Sequence, residues 1–215
     1  MDCPENKERY YHWTAPVRVL HWTRFLAIGI LIFTGLYIEK PFLPGGTETM
    51  AWNRFFHLLG AYLLVFGFMF RSYLMFFSKN PAEADWKELL PLPKNIKGLP
   101  QIVKYYLFMT NYHPRYKRYN PIQGPVYLLI GFLTVIMAMT GFAIYTGWLH
   151  SYFAWVNVLL GGEPVTRVVH VLGMWLIIAL TLSHIYLVLR QNALEKDRTF
   201  MSMIDGYVCK EHSGD

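Results

Sequence analysis

Eight histidines occur in the chain, and four of them, His21, His57, His170 and His184, fall within or at the ends of long apolar runs. A neutral imidazole keeps one ring nitrogen free for a metal, and an ionisable group inside a membrane is costly enough to mark function. The step from His170 to His184 is close to four helical turns, about 21 Å of rise with about 40° of residual rotation. Both rings therefore leave one helix face, at opposite ends. The remaining histidines, His12, His113, His150 and His212, lie in tails or loops, where surface or interface roles are expected.

The runs that hold the histidines set the architecture. Of the residues, 54% are hydrophobic and 16% charged, which excludes an ordinary soluble domain. The apolar residues gather at 19–38, 55–77, 126–148 and 168–189, each near the roughly 20 residues that cross a bilayer core. None of these runs contains an Asp or Glu. Lys and Arg then orient the chain. Lys7, Arg9 and Arg18 precede the first run, Lys79 to Arg118 crowd the loop between the second and third, and Arg190, Lys196, Arg198 and Lys210 follow the fourth. The opposite side has Lys40, with Arg54 and Arg167 at helix mouths. The expectation is an all-α integral membrane protein, residues 1–215 forming a single four-transmembrane-helix bundle. The loop 78–121, the tail 190–215 and both termini would be cytoplasmic, in a cell inner membrane. Basic residues confined to loops serve orientation, so no nucleic-acid partner is expected.

Met1 to Pro16 lacks the basic-then-apolar order of a cleaved signal, so the first run is expected to remain in the mature chain. Within the middle loop, Leu99 to Tyr112 is apolar enough for a helix along the inner membrane surface or under a partner, and Leu194 to Val208 invites the same reading.

An internal repeat relates the halves. Arg54-Phe55-Phe56-His57-Leu58-Leu59-Gly60 opens the second run and Arg167-Val168-Val169-His170-Val171-Leu172-Gly173 the fourth. Thr34-Gly35 near the end of the first matches Thr140-Gly141 in the third. These are duplicated helical hairpins, with the second and fourth helices running the same way. His57 and His170 should therefore sit at one depth and face each other. The repeat breaks at the inner end: Arg71 stands where His184 would be matched, and Tyr127 where His21 would be. His21 and His184 form the second pair, one from each hairpin.

Two facing imidazole pairs stacked across a membrane describe two b-type haems with bis-histidine ligation, suited to one-electron transfer and without a vacant iron position. Zinc or di-iron sites would need carboxylates or cysteines that the spans do not supply. Arg54 and Arg167, three residues before the outer pair, and Arg24 and Arg71, at the inner end, are candidates to receive haem propionates; snorkelling to headgroups is an equal alternative for Arg54 and Arg167, whereas Arg24 and Arg71 lie deeper. Gly60 and Gly173 could admit a porphyrin or serve helix packing. Cys3 and Cys209 stand in separate polar tails, so covalent haem attachment, an iron–sulfur cluster, structural zinc and a disulfide framework are not expected.

Five segments carry a family resemblance: Ala15-Pro16-Val17-Arg18-Val19-Leu20-His21-Trp22, the Arg-apolar-apolar-His start of the second span, Tyr119-Asn120-Pro121-Ile122-Gln123, the fourth span from His170-Val171-Leu172-Gly173-Met174-Trp175 to His184-Ile185-Tyr186, and Met201-Ser202-Met203-Ile204-Asp205-Gly206-Tyr207. The chain resembles the b-type cytochrome subunit of membrane-bound nickel-iron hydrogenases over nearly its whole length. Its four-histidine layout is also similar to the membrane subunit of respiratory formate dehydrogenases.

The resemblance implies that electrons from a nickel-iron large subunit and an iron–sulfur small subunit reach the outer haem at His57 and His170. They then cross to the inner haem at His21 and His184, and a quinone accepts them near Asn120, Gln123 and His184. A higher-order dimer of such complexes is compatible with it. Asn120-Pro121 also reads as a helix N-cap with proline following. A non-redox membrane anchor and a small transporter are the competing classes. The anchor would make the histidines replaceable, and the transporter would need broken helices that the spans lack.

Overall fold

The computed structural model describes Cys3 and residues 7–107, 109–110, 119–195 and 197–211. A short strand β1 (Lys7–Tyr11) leads into α1 (Ala15–Glu39), which starts with Pro16 in its first turn, where a missing N–H costs nothing. Helix α2 (Thr47–Phe77) returns across the bundle. Three short helices follow, α3 (Trp86–Leu89), α4 (Pro93–Ile96) and α5 (Leu99–Tyr106). Then come α6 (Gln123–Ile144), α7 (His150–Leu160), α8 (Glu163–Glu195), α9 (Thr199–Asp205) and a strand β2 (Tyr207–Glu211).

Helices α1, α2, α6 and α8 are each long and apolar enough to cross a membrane. The all-α membrane architecture read from the sequence is the one observed. The third span differs at its end: α6 stops at Ile144 rather than near Trp148, because residues 145–149 form the turn into α7. Gly161 (φ 94°) and Gly162 (φ 117°) then reverse the chain from α7 into α8, a backbone that favours residues without Cβ. Phe66, Phe77, Phe132 and Leu182 are exposed on the outside of the bundle, as expected where the surrounding solvent is hydrocarbon.

Each hairpin packs through a glycine. A Cβ on Gly60 of α2 would lie 3.2 Å from side-chain atoms of Ile30 and Leu31 on α1, and one on Gly173 of α8 would lie 2.5 Å from the Met137 sulfur on α6. These two glycines therefore serve close helix packing inside the hairpins. Backbone approach is close within each hairpin and sparse between them, with α2 meeting α6 and α1 meeting α8 only over short stretches. The histidine pairs lie across that seam.

The end of the bundle nearest the chain's two tails, called the inner end below, is closed by the loop and tails. Helix α5 buries Ile102 and Tyr105 and stacks Tyr105 under the Arg190 guanidinium of α8, 4.5 Å from the ring centroid. The helix expected from Leu99 to Tyr112 stops at Tyr106: Leu107 is its C-cap and 109–110 are not helical, while 108 and 111–112 lie outside the described residues. The tail from Leu194 does not form one surface helix: α8 carries through to Glu195, Arg198 (φ 62°) breaks the path, and α9 and β2 follow. Strand β2 pairs antiparallel with β1, Tyr11 opposite Tyr207 and Lys7 opposite Glu211. Gly206 O accepts from the backbone N–H of His12 and Trp13, and Trp22 Nε1 donates to Met203 O at 2.7 Å. Arg18 donates to Ile204 O. Cys3 and Cys209 form a disulfide, contrary to the sequence expectation; strand pairing brings together two tails that are 206 positions apart in the chain.

Candidate functional site

Helix α2 presents His57 and α8 presents His170 across the seam, their ring centroids 6.4 Å apart and planes inclined at 64°. Each ring is held from behind by the preceding span of its own hairpin. Thr34 Oγ1 on α1 is 2.9 Å from His57 Nδ1, and Thr140 Oγ1 on α6 is 2.9 Å from His170 Nδ1. The direction of these bonds follows from the other contacts of the hydroxyls. Thr34 Oγ1 lies 2.6 Å from Ile30 O and Thr140 Oγ1 lies 2.7 Å from Ile136 O, and a carbonyl can only accept. Each hydroxyl hydrogen is therefore spent on the backbone, and each Nδ1–H donates to threonine. Both Nε2 atoms are left as lone pairs, the tautomer a metal requires.

The glycines following these threonines make room for the rings. A Cβ on Gly35 would come 3.3 Å from His57 Cε1, and one on Gly141 would come 3.1 Å from His170 Cε1. The repeated Thr-Gly pair thus supplies a hydrogen-bond acceptor and the space beside it, once per hairpin.

At the inner end His21 of α1 faces His184 of α8, ring centroids 6.3 Å apart and planes inclined at 60°. Beside them is a cavity lined by Trp13, His21, Arg24, Arg71, Tyr119 and Tyr127 among others. Arg71 and Tyr127, the residues that break the repeat, thus line the wall of the inner site. His184 is exposed, whereas His21 is half-buried.

The spacing of both pairs fits a metal between them. Two metal–nitrogen bonds of about 2 Å, plus about 1.1 Å from each nitrogen to its ring centre, give about 6.2 Å for rings on opposite sides of one ion. Among the described residues no three His, Cys, Asp or Glu side chains converge. Each pair would therefore offer a metal two imidazole nitrogens, with no further such ligand among the described residues. A planar macrocycle that brings its own equatorial donors matches that set.

The predicted cationic partners divide. Arg71 is committed to Asp85, with Glu83 O also within reach of its guanidinium at 3.3 Å, while Tyr119 donates to the same Asp85 at 2.5 Å. Arg24 is half-buried beside the inner cavity, with no carboxylate partner among the described residues. Arg167 is exposed and pairs with Glu163 one turn earlier, and Arg54 is exposed about two turns into α2. Asn120 and Gln123 close the entrance to α6. Asn120 Oδ1 accepts from the N–H groups of Ile122 and Gln123, Gln123 Oε1 accepts from Asn120 N–H, and Asn120 Nδ2 donates to Tyr106. These are capping-box bonds made in the turn ahead of the helix: α6 begins at Gln123 with Ile122 at its N-cap, so Asn120 and Pro121 stand before the N-cap and first-turn positions expected of them.

Asp85, Tyr119, Thr34 and Thr140 join the site without having been singled out for it. The threonines had a signal, since they recur in the repeat; Asp85 is one acid in a proline-broken loop and had none.

A family model described as prokaryotic cytochrome b561 matches residues 12–206. A protein of Cupriavidus necator named "Probable Ni/Fe-hydrogenase B-type cytochrome subunit" is 30% identical over 213 residues, covering 92% of this chain and 86% of its own. One of the same name from Azotobacter vinelandii is 30% identical, covering 92% and 87%. An Escherichia coli K12 protein named "Probable Ni/Fe-hydrogenase 1 B-type cytochrome subunit" is 28% identical, covering 94% and 92%.

Proposed function

The chain belongs to the prokaryotic cytochrome b561 family, and from that premise we propose that it is the membrane electron-transfer subunit of a nickel-iron hydrogenase, delivering electrons to quinone. The facing histidine pairs carry this reading. His57 and His170 hold the outer haem b, and His21 and His184 hold the inner one. Bound there, the two haems supply reversible one-electron transfer across the membrane. The names of the relatives support a hydrogenase partner over the formate dehydrogenase alternative; in this reading its iron–sulfur small subunit docks on the outer face.

The chain's own residues orient and neutralise. Arg24 is the cation for a propionate at the inner pair, and Arg54 and Arg167 serve the outer pair near the headgroups. Arg71 is held by Asp85 and acts by shaping the wall of the inner cavity. Quinone contact is assigned to the exposed edge of His184 and the amide of Gln123, whose position Asn120 fixes through the cap. The basic loop and tails support a cytoplasmic location for both termini, in an inner membrane.

The test is hydrogen-driven reduction in membranes holding the complete complex. Wild type should reduce both b-type absorption components and an added quinone analogue. His21→Ala should retain hydrogen-dependent reduction of one component and lose quinone reduction. Undiminished quinone reduction in His21→Ala and His57→Ala would leave only the anchor reading.

A further inference from the structure

Thr34 and Thr140 occupy equivalent positions in the two hairpins and make the same pair of bonds: the hydroxyl to the carbonyl four residues back, and the oxygen to a histidine Nδ1 at 2.9 Å. A threonine inside a span often bonds back to its own helix without further purpose. Here that back-bond fixes the direction of the second bond, because it uses the only hydroxyl hydrogen. Both threonines are buried, at 4% and 2% exposure, so water does not compete for the Nδ1 protons. Gly35 and Gly141 follow immediately, and the missing side chains let the rings pack closely against α1 and α6.

Resting on the two-haem reading above, we propose that Thr34 and Thr140 are positioning residues that fix the ring orientation of the outer pair and lower the reduction potential of the iron held there. The chemistry is that of a histidine ligand whose distal N–H is shared with an acceptor. The ring becomes a stronger electron donor, which favours the ferric over the ferrous state. The inner rings of His21 and His184 have no hydrogen bond among the described residues, so the inner component is the internal control. A lowered outer potential also favours electron movement from the outer pair towards the inner one.

The experiment is a redox titration of the purified full chain, with low-temperature paramagnetic resonance of the oxidised form, for wild type, Thr34→Val, Thr140→Val and the corresponding serine variants. Haem content is measured first. Fewer than two haems in wild type removes the two-haem reading and this proposal with it. With two haems present, valine at either site should raise the midpoint of one component only and shift one low-spin signal, and serine should restore both. Loss of one haem with valine but not with serine gives the same answer, that the hydroxyl is required. Valine variants with unchanged midpoints and signals, or serine variants as altered as valine, overturn the threonine proposal while leaving the two haems in place.

Discussion

One terminal nitrogen of Arg71 lies 2.6 Å from Oδ2 and 2.8 Å from Oδ1 of Asp85, whose side chain has no solvent exposure. The pair joins the inner end of α2 to the start of α3, and Tyr119 ties it to the entrance of α6. The loop between the hairpins is thereby fastened to the wall of the inner cavity.

Removing the carboxylate alone leaves a guanidinium at the inner cavity without its partner. Asp85→Ala is expected to destabilise the chain by about 3 kcal/mol or more, the usual cost of breaking one side of a buried pair. The double variant Asp85→Ala with Arg71→Met should regain much of that loss. Thermal unfolding in detergent, followed at the haem absorption, measures both; equal loss in single and double variants would mean that the pair itself is not what stabilises the loop.

The glycines beside the outer rings differ from those elsewhere in the spans. Gly35→Ala and Gly141→Ala place a methyl group 3.3 Å and 3.1 Å from the imidazoles, so each should weaken retention of the outer haem. Gly29→Ala meets nothing within 4 Å and should be neutral, or stabilising by about 0.5 kcal/mol from helix propensity. Haem retention during detergent washing separates the two classes. Gly35→Ala and Gly29→Ala behaving alike would mean that the close approach imposes no constraint.

The tails make a compartment prediction. The β1–β2 ladder and the bonds from His12, Trp13 and Trp22 join them without help from sulfur. Cys209→Ser should therefore keep its haems, while losing about 2–4 kcal/mol of stability under oxidising conditions. A cytoplasmic setting would hold the pair reduced in the cell, so variant and wild type should then be equally stable there. After mild reduction and removal of the reductant, an impermeant maleimide should label Cys3 and Cys209 in inverted vesicles and not in intact spheroplasts; labelling from the outside would reverse the orientation read from Lys and Arg.

What the sequence makes legible follows from which signals are local. The four spans are visible because a run of about 20 apolar residues has few other uses. The pairing of His57 with His170 is visible because a parallel repeat puts equivalent residues at equal depth. The same repeat displays Thr34 and Thr140, but their role depends on a bond across to the neighbouring helix, which one-dimensional spacing does not encode. Arg71 is readable as a buried cation, yet its partner Asp85 comes from a loop whose path depends on packing against α6. The strands and the disulfide join residues at opposite ends of the chain, and neither tail carries an alternation strong enough to announce its partner.

Haem stoichiometry of the purified chain bears most directly on the facing pairs. Extraction as the pyridine complex, against protein determined by amino-acid analysis, should give about two haems b per wild-type chain. It should give about one for His57→Ala and for His21→Ala, and none for the two combined. One haem or none in wild type, or an unchanged count in the single variants, would contradict the assignment of these four imidazoles as ligands.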